Sequence, residues 1–276
     1  MTCNLGVLRR WRRTAIASLL GLCSLCAVAG SLPQGEPEDG TRRIWKKRFR
    51  EARAHNRIRR PNRAAVNGEL IGVTIWRLRE GQSRPIAERA TADTLFNEGE
   101  RVRLSIEASR ESDYYLYVID REVYADGTTS DPYLIFPSQS TPKRGNVMTA
   151  GKLVFVPARG DEYPYFSLVR ARKDQLSEDL TIIVSPKPLK LPIRGLTDPA
   201  RLENEQVAQW EKQWGGRVEH WEDQDGVGKR WTDAEKEADK GERRLVQGDP
   251  LPQTIYLVKA KPGAPMMLRV SLRVAP

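Results

Sequence analysis

The segment Arg101-Val102-Arg103-Leu104-Ser105-Ile106-Glu107 alternates polar and aliphatic residues without a break, and a period of two restricts it to a half-buried β-strand. Val102, Leu104 and Ile106 then share the core-facing side, leaving the other face wet. Leu268-Arg269-Val270-Ser271-Leu272-Arg273-Val274 repeats the pattern near the C-terminus. Further strands are predicted at 69–78, 113–121, 132–137, 152–157, 163–170, 179–185 and 254–260. Turn residues punctuate them at Asn97-Glu98-Gly99, Ala125-Asp126-Gly127, Ala150-Gly151, Arg159-Gly160-Asp161 and Lys261-Pro262-Gly263. About nine short strands, with no helix between most of them, predict a mainly β fold, an antiparallel, Ig-like β-sandwich. Tyr114-Tyr115-Leu116-Tyr117-Val118-Ile119 is apolar on both faces, which assigns it to the centre of a sheet.

Nothing covalent is expected to staple such a sandwich. The three cysteines, Cys3, Cys23 and Cys26, all fall within residues 1–29, a stretch that reads as an export signal. Arg9, Arg10, Arg12 and Arg13 form its basic region, Ala15 to Val28 its apolar region, and Ala27-Val28-Ala29 its cleavage site. The apolar run is shorter than the roughly 20 residues a membrane-spanning helix needs. Cleavage after Ala29 is expected, leaving a thiol-free mature chain in the periplasm or outside the cell, with no transmembrane span. Leu22 and Leu25 precede the two later cysteines where a lipoprotein signal requires a small residue, so lipidation is not expected.

Charge divides the remainder unevenly. Residues 31–66 carry 11 basic and 4 acidic side chains, 67–195 carry 18 of each, and 196–248 carry 9 basic and 13 acidic. The net charge of +10 therefore belongs to the flank and not to the body. Residues 31–40 have the Pro, Gly and acid composition of a linker. Within the following run, Arg42, Arg43, Lys46, Lys47, Arg48 and Arg50 surround Trp45 and Phe49, which with Ala52 recur at helical spacing as a narrow apolar stripe. Two readings stand: a solvated tether, or a contact with an anionic surface, where each basic residue contributes on the order of 1 kcal/mol at low salt. Export points that contact toward an envelope protein, an anionic envelope polymer or a lipid surface, and away from nucleic acid.

Residues 196–248 interrupt the strand pattern. Asp198-Pro199 reads as an N-cap followed by a first helical residue, and Thr232-Asp233-Ala234-Glu235 as a capping box, so two helices are expected to flank a Gly-rich middle. This insertion holds four of the seven tryptophans: Trp210, Trp214, Trp221 and Trp231. Trp210 and Trp214 fall on one helical face. The four rings either staple a polar excursion onto the sandwich or form a recognition surface for a partner or glycan. The acidic insertion, with the basic flank beside it, is available to pair within or between molecules.

Five motifs recur in an order that resembles a known family. They are Phe96-Asn97-Glu98-Gly99 leading to Leu104, Asp113-Tyr114-Tyr115-Leu116-Tyr117-Val118, Asp126-Gly127 leading to Leu134-Ile135-Phe136-Pro137-Ser138, Ala150-Gly151 leading to Val156-Pro157, and Leu180-Thr181-Ile182-Ile183-Val184 with Pro188-Leu189. Together they make residues 70–190 similar to the bacterial domain of unknown function 4384. The resemblance implies a β-rich accessory module attached to envelope proteins, proteases or kinases, and it transfers no active site. Ser138 stands where Asn is more usual, and the long insertion is not part of the pattern.

Residues 67–195 contain neither His nor Cys, which excludes Ser-His-Asp or Cys-His chemistry there unless His55 or His220 is brought in from outside. No metal or cofactor is expected. Carboxylates are abundant, and Glu107, Asp113, Asp120 and Glu122 are candidates for a hydrolase of envelope glycans needing only two acids at the right separation. The stretch from Asp126 to Asp131 lacks the alternating ligands of a calcium loop and reads as a hairpin turn. The expected organisation is a signal peptide at 1–29, a linker and basic segment at 30–66, and a sandwich domain at 67–276 carrying the insertion 196–248. Its expected role is that of an exported, non-catalytic binding module.

Overall fold

The structure is a computed structural model that describes residues 68–276 except 82–84, 110–112, 192–198, 247 and 262. The expected signal at 1–29 and the segment 30–66, with Arg42, Arg43, Trp45, Lys46, Lys47, Arg48, Phe49 and Arg50, lie outside the described residues. The strands are β1 (Glu69–Arg79), β2 (Ile86–Ala90), β3 (Leu95–Phe96), β4 (Arg101–Ala108), β5 (Tyr114–Tyr124), β6 (Tyr133–Phe136), β7 (Val147–Met148), β8 (Val154–Val156), β9 (Phe166–Ser167), β10 (Gln175–Ser185), β11 (Ala200–Arg201), β12 (Arg217–Glu222), β13 (Thr254–Lys259) and β14 (Met266–Val274). Two helices, α1 (Asn204–Trp214) and α2 (Asp233–Asp239), lie between β11 and β13.

One sheet runs β12-β13-β1-β4-β8, with β2 also on β1 and β9 on β4. The other runs β11-β6-β5-β10-β14-β3, with β7 on β5. Their facing sides close over a common core. Ile71, Val73, Val102, Leu104 and Ile106 come from the first sheet, and Leu116, Val118, Leu180, Ile182, Val184, Leu268 and Val270 from the second. Each such side chain contributes about 1.5–3 kcal/mol by leaving water. The mainly β, two-sheet reading therefore holds, and β5 lies inside its sheet as its two apolar faces require.

Particular expectations need correction. The pairing is not wholly antiparallel, because β3 runs parallel to β14, Leu95 beside Arg273 and Phe96 beside Val274. β3 is two residues long and reached through the Thr91–Thr94 turn, so no hairpin sets its direction. The strand expected at 163–170 shrinks to Phe166–Ser167, and β12 forms where a Gly-rich connection between helices was expected. Pro199 is not a first helical residue: the chain pairs as β11 at Ala200–Arg201 and becomes helical only at Asn204, after an extended Glu203. Asp198 lies outside the described residues. The pairing of Ala200 with Leu134 overrides the local helix signal.

The second face of β4 is not wet. Arg103, Ser105 and Glu107 are all buried, and over Arg103 and its neighbours Trp76 and Phe155 the insertion folds back. Trp231 packs against Trp76 (ring centroids 5.3 Å) and edge-on to Phe155 (5.4 Å), with Ala238 and Leu245 beside them. Polar groups of Trp76, Ser105 and Arg103 find partners beneath this cover. Trp76 Nε1 donates to Ser105 Oγ at 2.9 Å, and Arg103 donates through two nitrogens to Asp239 (3.0 and 3.2 Å) and through Nε to the Pro157 carbonyl. Arg89 of β2 reaches Glu235 at 2.5 Å and the Leu251 carbonyl at 2.6 Å. Glu235 closes the expected capping box, accepting from the Thr232 amide at 3.0 Å while its own amide donates to Thr232 Oγ1 at 3.3 Å. The acids of the insertion thus pair with arginines of the body.

Glu235→Ala strands Arg89 in a buried site and removes half of a cap, and breaking such a pair from one side costs about 3–5 kcal/mol. Urea unfolding is expected to show a loss of that size, against about 1 kcal/mol for Thr232→Ala, which removes only the cap. Equal effects of the two changes would mean that the Arg89 contact does not hold α2.

Candidate binding cleft

Helix α1 is built from Glu, Gln, Ala and Lys around three residues that share a face, Val207, Trp210 and Trp214. That face lies on the outer side of the second sheet, against Tyr117, Ile119, Leu134, Ile183 and Met267. The helix is tethered at both ends. Arg121 donates to Asn204 at 3.2 Å, Asn204 donates to Asp131 at 3.1 Å, and Arg269 donates to Glu211 at 2.9 Å. Gly215 and Gly216 let the helix turn directly into β12. A Cβ on Gly215 would lie 2.2 Å from the Glu211 carbonyl oxygen, and one on Gly216 2.4 Å from that of Lys259, closer than any side chain tolerates.

As expected, Trp210 and Trp214 lie on one face of the helix, and there they stack, with ring centroids 5.2 Å apart and planes inclined by 14°. Both are half-buried, one edge on the apolar cluster beneath. Trp214 reaches a shallow cleft of about 590 Å³ between α1 and the turn joining β13 to β14, lined by Gln209, Lys212, Gln213, Trp214, Lys261 and Ala264. No carboxylate lines it. On the other side of the same turn a second hollow of about 520 Å³ opens at the end of the sandwich, sharing Lys261 and Ala264 and bordered by Tyr114, Val258 and Met266.

The other tryptophans of the insertion face inward. Trp221 is buried with Leu70, Ile255 and Leu257, and Trp231 sits over β1, β4 and β8 as described. The staple reading describes these two, while Trp210 and Trp214 combine packing with partial exposure. Lys261 escaped the sequence reading because its proximity to α1 depends on a connection between the two sheets more than 40 residues further along. Its only sequence signal was the turn motif Lys261-Pro262-Gly263.

The candidate acids are dispersed. Glu107 is buried on the outer side of the first sheet, and Asp113 pairs with Arg144 at 2.6 Å. Asp120 and Glu122 do share a side of β5, and Glu122 is directly opposite Glu178 of β10, a residue that sequence reading missed because the register creates the contact. Tyr124 donates its hydroxyl to Glu122, and Arg172 lies 4.0 Å over the Tyr124 ring. Burial, reinforced by the Glu122 charge and that of Asp179, pushes the Asp120 carboxyl up to about 7. Glu178 is raised by burial first and then by the charges of Asp120 and Glu122. Neither cleft is lined by these acids. Among the described residues no group of three His, Cys, Asp or Glu is placed to hold a metal ion. His220 lies on the outer strand β12, its ring 5.7 Å from that of Tyr256, and His55 lies outside the described residues. The stretch expected as a turn is one: Asp126 accepts from the Thr128 amide at 2.9 Å, Gly127 has φ +80°, and Thr129 bridges back to Val123.

A raised carboxyl favours the folded state fully at pH values below its unfolded range and loses that contribution as pH rises toward the folded value. Asp120→Asn is therefore expected to match the parent near pH 4 and to exceed it by about 1–3 kcal/mol at pH 8, read from urea unfolding across that range. Parallel curves would show that Asp120 does not set this pH dependence. Compared with known proteins, the chain matches no family model, no curated protein and no solved structure.

Proposed function

We propose that this chain is an exported, non-catalytic accessory module that binds another component of the bacterial envelope, in the periplasm or outside the cell. The observation that carries this reading is the cleft at the end of α1, where a braced indole, two amides and two lysines converge without an opposing carboxylate. The resemblance of residues 70–190 to the domain of unknown function 4384 supports an accessory role. Segment 42–63 supplies long-range attraction in this reading, and the α1 face supplies contact. Among the described residues no helix is long and apolar enough to cross a membrane.

A carboxylate hydrolase acting on envelope glycans is the second reading, favoured by the raised Asp120 and Glu178. The binding reading is preferred because those acids border neither of the two clefts. Loss of turnover of an envelope glycan in Asp120→Asn and Glu178→Gln would reverse that preference.

The test is cosedimentation of the mature chain with native envelope fractions. Charge attraction weakens as the screening length falls to about 8 Å at 0.15 M salt. Retention is expected to fall with salt, to lose most of that salt dependence when 42–63 is deleted, and to drop several-fold in Trp214→Ala. Equal retention of all three proteins would defeat the proposal.

A further inference from the structure

The cleft between α1 and the β13–β14 turn has a composition that selects among ligand classes. Trp214 presents an indole whose orientation is set twice, by the stacked Trp210 and by the apolar cluster beneath. A ring held in place before binding loses little entropy on contact. Gln209 and Gln213 are one helical turn apart, about 6 Å along the axis, and each amide both donates and accepts hydrogen bonds. Lys212 on the helix and Lys261 on the turn border the cleft from opposite sides, and neither makes an ion pair among the described residues.

We infer that this cleft binds a carboxylate-bearing polysaccharide, a sugar ring stacking on Trp214, its hydroxyls meeting Gln209 and Gln213, and its carboxylates meeting Lys212 and Lys261. This rests on the binding-module reading and names its ligand. Each part of the lining excludes an alternative. A lipid tail requires a continuous apolar trough, whereas here the amides of Gln209 and Gln213 and the ammonium groups of Lys212 and Lys261 interrupt the apolar lining. A nucleic-acid strand requires a longer basic track with several aromatic platforms, and one indole with two lysines supplies neither. A neutral sugar gains nothing from two ammonium groups held beside the ring. The open shape suits a chain passing through better than a small molecule enclosed on all sides.

The mature chain is titrated, with tryptophan fluorescence as readout, against alginate oligomers, carboxymethyl-dextran, neutral dextran and poly-glutamate. Alginate carries its carboxylate on the ring carbon and carboxymethyl-dextran on an ether arm, so the first two probes separate the two sources of the charge. Either or both are expected to bind, at least tenfold more tightly than neutral dextran and poly-glutamate. Lys212→Gln with Lys261→Gln, surface changes that leave the packing of α1 intact, are expected to weaken binding at least tenfold. Trp214→Phe, which keeps a ring, is expected to weaken it less than Trp214→Ala. Equal binding of neutral dextran removes the role of the lysines, and equal binding of poly-glutamate removes the sugar. Indifference to the lysine changes moves the site elsewhere. If no glycan binds while Trp214→Ala still lowers envelope retention, the ligand assignment fails and the binding module stands. If retention is also unchanged, both fail.

Discussion

Two buried arginines hold the architecture together. Arg89 on β2 and Arg103 on β4 project from the outer side of the first sheet, where solvent was expected, and meet Glu235 and Asp239 on one short helix. A seven-residue helix has little stability of its own, and these contacts, with the capping box, give α2 its place. Burial alone would make such charges costly. Each guanidinium is instead satisfied by a carboxylate and a backbone carbonyl and lies over an aromatic ring, Arg89 5.2 Å over Trp76 and Arg103 4.4 Å over Phe155. Desolvation lowers the Arg103 pKa, and the charge of Asp239 opposes that effect.

Once the arginines are committed, the rest of the insertion is constrained. Trp231 is carried over Trp76 and Phe155, β12 extends the first sheet beside β13, and α1 is left to cover the second sheet. A single segment thus covers outer faces of both sheets. Trp221 and Trp231 take part in that covering, whereas Trp214 is delivered to a position beside the β13–β14 turn. The cleft is a by-product of how α1 ends: Gly215 and Gly216 permit a turn so tight that the last helical ring stays next to Lys261.

The inward acids follow a different constraint. Asp120 and Glu122 lie at the point where the apolar side of β5 runs out, and the register with β10 sets Glu122 against Glu178. Like charges directly opposed on neighbouring strands repel, and burial raises the cost of ionising Asp120 and Glu178. Asp120 and Glu178 therefore hold their protons to higher pH than exposed carboxylates do.

The two-sheet core was legible from local periodicity, since Val102, Leu104 and Ile106, or Leu268, Val270 and Leu272, have the same facing whatever surrounds them. The capping box at Thr232 and the pairing of Trp210 with Trp214 were equally local, resting on spacings of three and four residues. What the sequence could not carry was anything decided by an encounter between distant segments. Arg103 has the character of a solvent-facing residue and is buried because Trp231 and Asp239, about 130 positions later, return to cover it. Pro199 has the signature of a helix start, yet pairing with β6 at Ala200 outweighs a cap worth about 1 kcal/mol. Lys261 borders the same cleft as Lys212 only through the connection between the two sheets, and Glu178 faces Glu122 only through strand register. Sequence alone determined which side chains alternate, cap and stack, because those depend on backbone period; tertiary structure decided which polar groups became buried and which met across a cleft, because burial and long-range proximity belong to the folded chain as a whole.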